Sequence, residues 1–396
     1  MSTTTTTDTT TTDTTTTETT TTTTETTTES TSSTTTTTSS TTTTTTTSST
    51  TTTSTTTTTT TTTTTIAPVD YEIVDGFDHL SEAQVTRKWD SDSGVPTSMV
   101  TGRIDGKAAR FLNAPAPLKY TSPTPRASWT ACFAVRPSSF PATVIIAQFM
   151  DDASNQVELR VNTLGQIQFT RNGTTLFTSS MRLYANLWQY IEWAVTIDSV
   201  AGAVKVRISE QTAIDQTGIN SQNTGNATAN VFKLAPASSA AAWLFDDFTL
   251  IQGFDTPGEM RVQTKMPSAP GTFTQWTPTG AASGWQATSE NPADDDTSYV
   301  KTVTVGNQEV YVHAAFDVQG QIMAIQSNLM IRKDDVASRA VGHRVHVGGT
   351  TFDGDVSDCL TDYRVSRSVW KNNPNTTNPW SLSEANSAQF GQKLIA

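Results

Sequence analysis

The chain has 396 residues and a formal net charge of −12. Five of those charges (Asp8, Asp13, Glu18, Glu25 and Glu29) stand in the first 65 residues, which leaves −7 for the remainder. With Lys and Arg scattered and in no run longer than two, this acidic balance argues against a nucleic-acid groove, whose affinity rests on cations that neutralise backbone charge. No apolar run approaches the roughly 20 residues of a membrane-spanning helix.

From Ser2 to Thr65 the chain is Thr and Ser apart from those five acids. Nothing there can be buried against the entropy of ordering, so residues 1–65 are expected to be disordered on their own. Thr is β-branched, and the arm is expected to be stretched rather than collapsed. No basic stretch followed by an apolar one succeeds Met1, so a secretory leader is not expected.

After Ile66-Ala67-Pro68 the composition changes to short alternating segments. Trp129, Ala131, Phe133 and Val135 share one face of a strand. Val157, Leu159 and Val161 alternate with Gln156, Glu158 and Arg160, and Ile167 and Phe169 with Gln166, Gln168 and Thr170. Asn172-Gly173 is a strong hairpin signal. Ile191 to Ile197, Val204 to Ile208 and Phe248 to Leu250 continue the pattern. Period-two alternation punctuated by turns predicts an antiparallel β-sandwich or jelly roll, with no helix of ten or more residues.

Turn formers cluster at Gly253 to Gly258, dividing residues 66–253 from 254–396. Further strands are expected over Glu259 to Lys265, Tyr299 to Val305, Glu309 to His313, Gln321 to Arg332, Val341 to Val347 and Tyr363 to Trp370. Ser381-x-x-Glu384 reads as a capping box for a short helix ending near Phe390-Gly391. Cys132 and Cys359 form no CxxC pair and are expected to be small buried hydrophobes rather than a disulfide.

Leu187 to Ile197 followed by Gly202 to Ile208 resembles the paired strands of laminin-G-like, concanavalin A-type jelly rolls, and Phe245-Asp246-Asp247-Phe248-Thr249-Leu250 resembles their closing strand. The resemblance covers roughly Asp70 to Gln252. From Pro257 onward the chain is similar to a C-terminal module of tailed-phage structural proteins, through Gln275-Trp276-Thr277-Pro278, Asp294 to Val300, Arg332 to Asp335, Gly348 to Gly354 and Ala388 to Gly391. That resemblance implies a structural protein on the virion surface, a head decoration or appendage, with other virion proteins, copies of itself and host surface polysaccharide as partners. It implies no established catalytic residues. The alternative is a secreted carbohydrate-binding adhesin on a Thr-rich stalk.

A retaining glycan hydrolase needs two carboxylates about 5–5.5 Å apart, which on one strand means acids at i and i+2. Glu192 has no such partner, Asp246 and Asp247 are adjacent and expected on opposite faces, and Asp353 and Asp355 flank Gly354 in an expected turn. The chain is therefore expected to be non-enzymatic. His343 and His346, three apart, are expected on opposite strand faces. Asp151, Asp152 and Asn155 are the candidate Ca²⁺ ligands, by their oxygen chemistry and loop position; turn formation is the simpler account of them. Trp276, Trp285, Trp370 and Trp380 lie near loops or strand ends and are the candidate sugar-stacking or interface residues.

Overall fold

A strand turns successive side chains to opposite faces, so a segment that alternates apolar and polar residues buries one face only. The computed structural model describes residues 12–13, 16–37, 45–64 and 70–396 apart from 238 and 319. In it, this alternation builds a six-stranded antiparallel sheet. Its spatial order is Thr174–Arg182, Gln166–Arg171, Ser154–Val161, Val144–Asp151, Ala229–Leu234 and Leu118–Arg126. An eight-stranded sheet faces it, running Gln211–Ile219, Gly202–Ile208, Gln189–Thr196, Ser128–Pro137, Trp243–Gln252, Lys107–Phe111 and Ser98–Thr101, with Asp70–Asp75 also paired to Trp243–Gln252. The chain is all-β, a β-sandwich of jelly-roll type with further β-sheets after it.

Aromatic rings from both sheets meet between them. Phe149 of the six-stranded sheet lies 4.7 Å from Trp193 and 6.2 Å from Trp129 of the eight-stranded sheet. Within its own sheet it lies 5.0 Å from Phe232, which stacks on Phe248 at 5.3 Å. Each such pair adds about 0.5–1.5 kcal/mol beyond the area it buries.

The two sheets differ on their outer faces. Tyr71, Cys132, Ala134, Tyr190 and Ile251 form an apolar cluster on the back of the eight-stranded sheet, covered by Met260, Met323, Ala324 and Val369. Gln189–Thr196 and Ser128–Pro137 are consequently buried almost throughout. Both cysteines are free and buried, as expected.

The covering residues belong to the C-terminal part. Its five-stranded sheet runs Pro267–Thr274, Gln308–His313, Gln389–Leu394, Ala340–Val347 and Thr350–Asp358. The ribbon Ile325–Ile331 and Arg364–Trp370 leans on the sandwich. There the Gln326 side chain accepts from the Val74 N–H and donates to the Val74 carbonyl, both at 2.8 Å, satisfying part of the free edge of Asp70–Asp75. Val69–Ala396 forms one compact unit, separate from Met1–Pro68.

Several expectations change. Glu259 to Lys265 forms no strand; its backbone is tied to side chains of the sandwich instead of to a neighbouring strand. The capping box at Ser381 and Glu384 is present, but the helix spans Leu382–Ser387 and Phe390-Gly391 belong to the central strand Gln389–Leu394. Gly354 sits inside the strand Thr350–Asp358 rather than in a turn. Within the arm, Thr16–Thr37 pairs with Thr45–Thr64 in one antiparallel register from Glu18↔Thr64 to Thr37↔Thr45.

Replacing Phe149 with Ala removes the ring shared by Trp129, Trp193 and Phe232. Urea denaturation should show a loss of about 3–5 kcal/mol; a loss under about 1 kcal/mol would mean that the sheets do not meet through this residue.

Candidate functional site

The core alternation fixes what the other face of the six-stranded sheet presents. With Phe232 and Leu234 inward, Val231 and Lys233 turn outward; with Ala147 and Phe149 inward, Gln148 and Met150 turn outward. The register then places Lys119, Lys233, Gln148, Glu158 and Thr170 side by side, each the direct cross-strand partner of the next. At the usual strand spacing this row is about 19 Å long.

Glu158 is the hub of the row. It is 4% exposed and accepts from Thr170 Oγ1 at 2.7 Å, Arg160 Nε at 2.6 Å, Gln148 Nε2 at 3.4 Å and Asn155 Nδ2. At the Lys119 end an open groove of about 510 Å³ has Asp92, Lys119, Thr121, Asp152 and Lys233 among its polar lining and Met150 and Val231 among its apolar lining. Amide, hydroxyl, ammonium and guanidinium groups beside small apolar patches suit a polyhydroxylated ligand.

The carboxylates outside this row are committed elsewhere. Asp246 and Asp247 do not point to opposite faces as expected. A bulge interrupts the ladder between Asp246 and Thr249, and Asp247 adopts φ +49°, so both carboxylates reach Arg103. The Arg103 N–H donates to Asp246 and its Nε to Asp247, each at 2.7 Å, while Nη2 donates to the Met260 carbonyl and Nη1 to Glu259. Burial and the Asp247 carboxylate push Asp246 up to about 8. This pair is sealed inside the protein and fastens residues 259–262 to the sandwich.

Glu192, fully buried, accepts from the Gly258 N–H at 2.7 Å and pairs with Arg207 at 2.8 Å; burial raises its pKa. Asp353, exposed on an edge strand, pairs with Arg344.

The sequence-derived candidates do not converge. Asp151 ends the strand Val144–Asp151 and Asp152 begins the tight turn before Ser154–Val161. Asp151 Oδ2 accepts from Thr224 Oγ1 at 2.7 Å and Asn226 Nδ2 at 3.0 Å, and Asp152 Oδ1 accepts from Asn230 Nδ2 at 2.7 Å. Asn155 donates to Glu158. Among the described residues no group of three or more His, Cys, Asp or Glu is placed to hold a metal ion.

Trp370 and Trp380 are 8% and 2% exposed, joined by a 2.8 Å bond from Trp380 Nε1 to the Trp370 carbonyl, and show no face to a ligand. Their nearness to strand ends reflects a second core, not a surface. Trp276 is half-buried, its Nε1 donating to the Asn307 carbonyl at 3.1 Å, and Trp285 is half-buried beside the short turn Gln286–Thr288. None of the four lines the groove. Of the sequence-derived candidates only Asp152 lines the groove; Lys119, Thr121 and Lys233 escaped sequence reading.

His343 and His346 do face apart, as expected. His346 bonds Thr351 Oγ1 at 2.9 Å, and His343 is buried between Ser327 Oγ at 3.0 Å and Ser366 Oγ at 2.8 Å.

No known family model matches the chain, and no curated protein does. Parts of several solved structures are similar to parts of this chain. An endo-β-1,4-glucuronan lyase from Trichoderma reesei is 11% identical with a TM-score of 0.31, over 47% of this chain and 91% of that one. The Trypanosoma rangeli sialidase is 9% identical with a TM-score of 0.32, and the match spans 41% of this chain but 27% of that protein. Domain 4 of a GH43 extracellular arabinanase from Geobacillus stearothermophilus is 18% identical with a TM-score of 0.29, over 40% of this chain and 77% of that one. The expectation of a non-enzymatic chain is overturned by these neighbours, all named as glycan-acting enzymes or as part of one, and is withdrawn.

Burial pushes the His343 imidazole down to about 4 from an ordinary 6.5. A histidine held neutral in the fold stabilises it fully above pH 6.5, and that contribution is lost as pH falls toward 4. Asp246 acts oppositely, since a raised carboxyl favours the fold when protonated and costs stability as pH rises toward 8. A paired comparison isolates the histidine. The stability advantage of wild type over His343→Gln should shrink by about 3 kcal/mol between pH 7 and pH 4; an advantage constant with pH would show that His343 is not held neutral.

Proposed function

We propose that this chain is displayed on the surface of a tailed-phage virion and holds a glycan of the host surface in the groove on the outer face of its six-stranded sheet. The observation that carries the glycan reading is the outward row in which the half-open Lys119, Lys233 and Gln148 stand side by side, backed by the buried Glu158 and Thr170 that continue it. The face is organised before any ligand arrives, because Glu158 already orients Gln148, Arg160 and Thr170.

The virion reading is supported by the C-terminal motifs that resemble phage structural proteins and by an arm unsuited to a core of its own. In it, residues 254–396 serve assembly with other virion proteins and with copies of the chain. Exposed apolar side chains at Val303, Val305, Val336, Val356 and Leu360 suit that role.

The full chain, incubated with an array of bacterial surface polysaccharides, should retain at least one of them, with soluble sugar release scored alongside so that retention and cleavage are both read. Gln148→Ala, which removes a donor from the middle of the row, should weaken that binding by about 2–10-fold. Retention of no glycan, or an unchanged affinity in the variant, would overturn the reading. Mass spectrometry of gradient-purified particles from the encoding phage should find the chain among the virion proteins; its absence would remove the virion half.

A further inference from the structure

We infer that Lys233 makes the groove selective for glycans that carry an anionic substituent, whether a uronate carboxylate or a sulfate or phosphate ester; this rests on the glycan reading above. Lys119 and Lys233 are direct cross-strand partners on the same outer face. Two like charges set opposite each other destabilise a sheet, so one expects either a neutral residue at one position or a counter-ion for each.

Asp92 is shared unequally: it pairs with Lys119, and Lys233 acts on it only from beyond ion-pair distance. Lys119 Nζ lies 2.8 Å from Asp92 and 3.6 Å from Asp90. Lys233 has no carboxylate within ion-pair distance among the described residues, and its other cross-strand neighbour is the uncharged Gln148. The remaining acid of the groove, Asp152, is occupied by Asn230, to which it is bonded through both its carboxylate and its backbone N–H. Met150 and Val231, both buried, flank the position and reduce the screening by water that would otherwise blunt the charge. A bound anion would sit against Lys233 and answer the repulsion from Lys119, while the Thr121 hydroxyl, which donates to Asp90, and the Gln148 amide, which donates to Glu158, keep their oxygens to accept from sugar hydroxyls.

The full chain, its Lys233→Met variant and its Lys233→Arg variant would be titrated with three oligosaccharides of equal length: a polyuronate, a sulfated glycan and a neutral glycan. Wild type should prefer at least one anionic ligand over the neutral one by about tenfold or more, with the preference fading as salt is raised. Which anion binds identifies the substituent. Lys233→Met should lower the ratio of anionic to neutral affinity to near one, whatever it does to the affinities themselves, and Lys233→Arg should keep that ratio. Equal binding of charged and neutral glycans by wild type, or a preference that survives in Lys233→Met, overturns the inference while the glycan reading stands. Failure to bind any glycan sinks both.

Discussion

Phe149 is held between Trp129 and Trp193 of one sheet and Phe232 of its own, and this packing constrains everything else in the sandwich. Strand side chains have a period of two, so a slip of one residue would carry an entire hydrophobic set to the wrong face. Once Phe149 and Phe232 are inward, Gln148 and Lys233 have no choice but to be outward. The polar row is therefore a consequence of the aromatic core. Its composition is free to vary with function only because its positions are not.

The second determinant is the asymmetry between the sheets. An antiparallel sheet can leave one face to water, but the eight-stranded sheet is covered on both. Residues 254–262 run across its back, where Arg103 donates to the Met260 carbonyl, Asp247 accepts from Val262 and Glu192 accepts from Gly258. The ribbon Ile325–Ile331 and Arg364–Trp370 closes the adjoining edge through Gln326, and Arg367 lies over the Tyr120 ring at 4.8 Å. The C-terminal part thus settles which face of the sandwich remains for a ligand, without contributing a side chain to the groove.

Much of the sandwich was legible in the sequence because alternation is local. Val157 to Val161, Ile191 to Ile197 and Val204 to Ile208 announce strands by their own composition, as does the hairpin at Asn172-Gly173. What was not legible is nonlocal. Nothing in the sequence says that Lys119 lies opposite Lys233, 114 positions apart in numbering, and without that register no row exists to be found. Asp246 and Asp247 were assigned opposite faces by the parity rule, which holds only for an unbroken ladder; the bulge and the left-handed Asp247 suspend it. Glu259 to Lys265 has the composition of a strand but finds side-chain partners in place of a neighbouring strand. Trp370 and Trp380 were placed by their nearness to loops, although the second core with Val345, Val347 and Phe390 lies directly beneath those loops.

The charged groups fall into two kinds, and the contrast separates scaffold from site. Arg103 is nearly enclosed, yet its guanidinium and its backbone N–H reach two aspartates, a glutamate and a carbonyl; removing any partner would strand a buried charge, which is costly. Lys88 and Asp75 are likewise enclosed and paired at 3.1 Å, with Asp75 also accepting from Phe77 and Trp89. Such groups are complete within the fold and have nothing left to offer a ligand. Lys233 is the reverse: half-open, opposed by a like charge and beside an amide that cannot neutralise it. What sets Lys233 apart from the other cations without an ion pair is its place, directly opposite a second ammonium on an open sheet face, where an external anion can answer both.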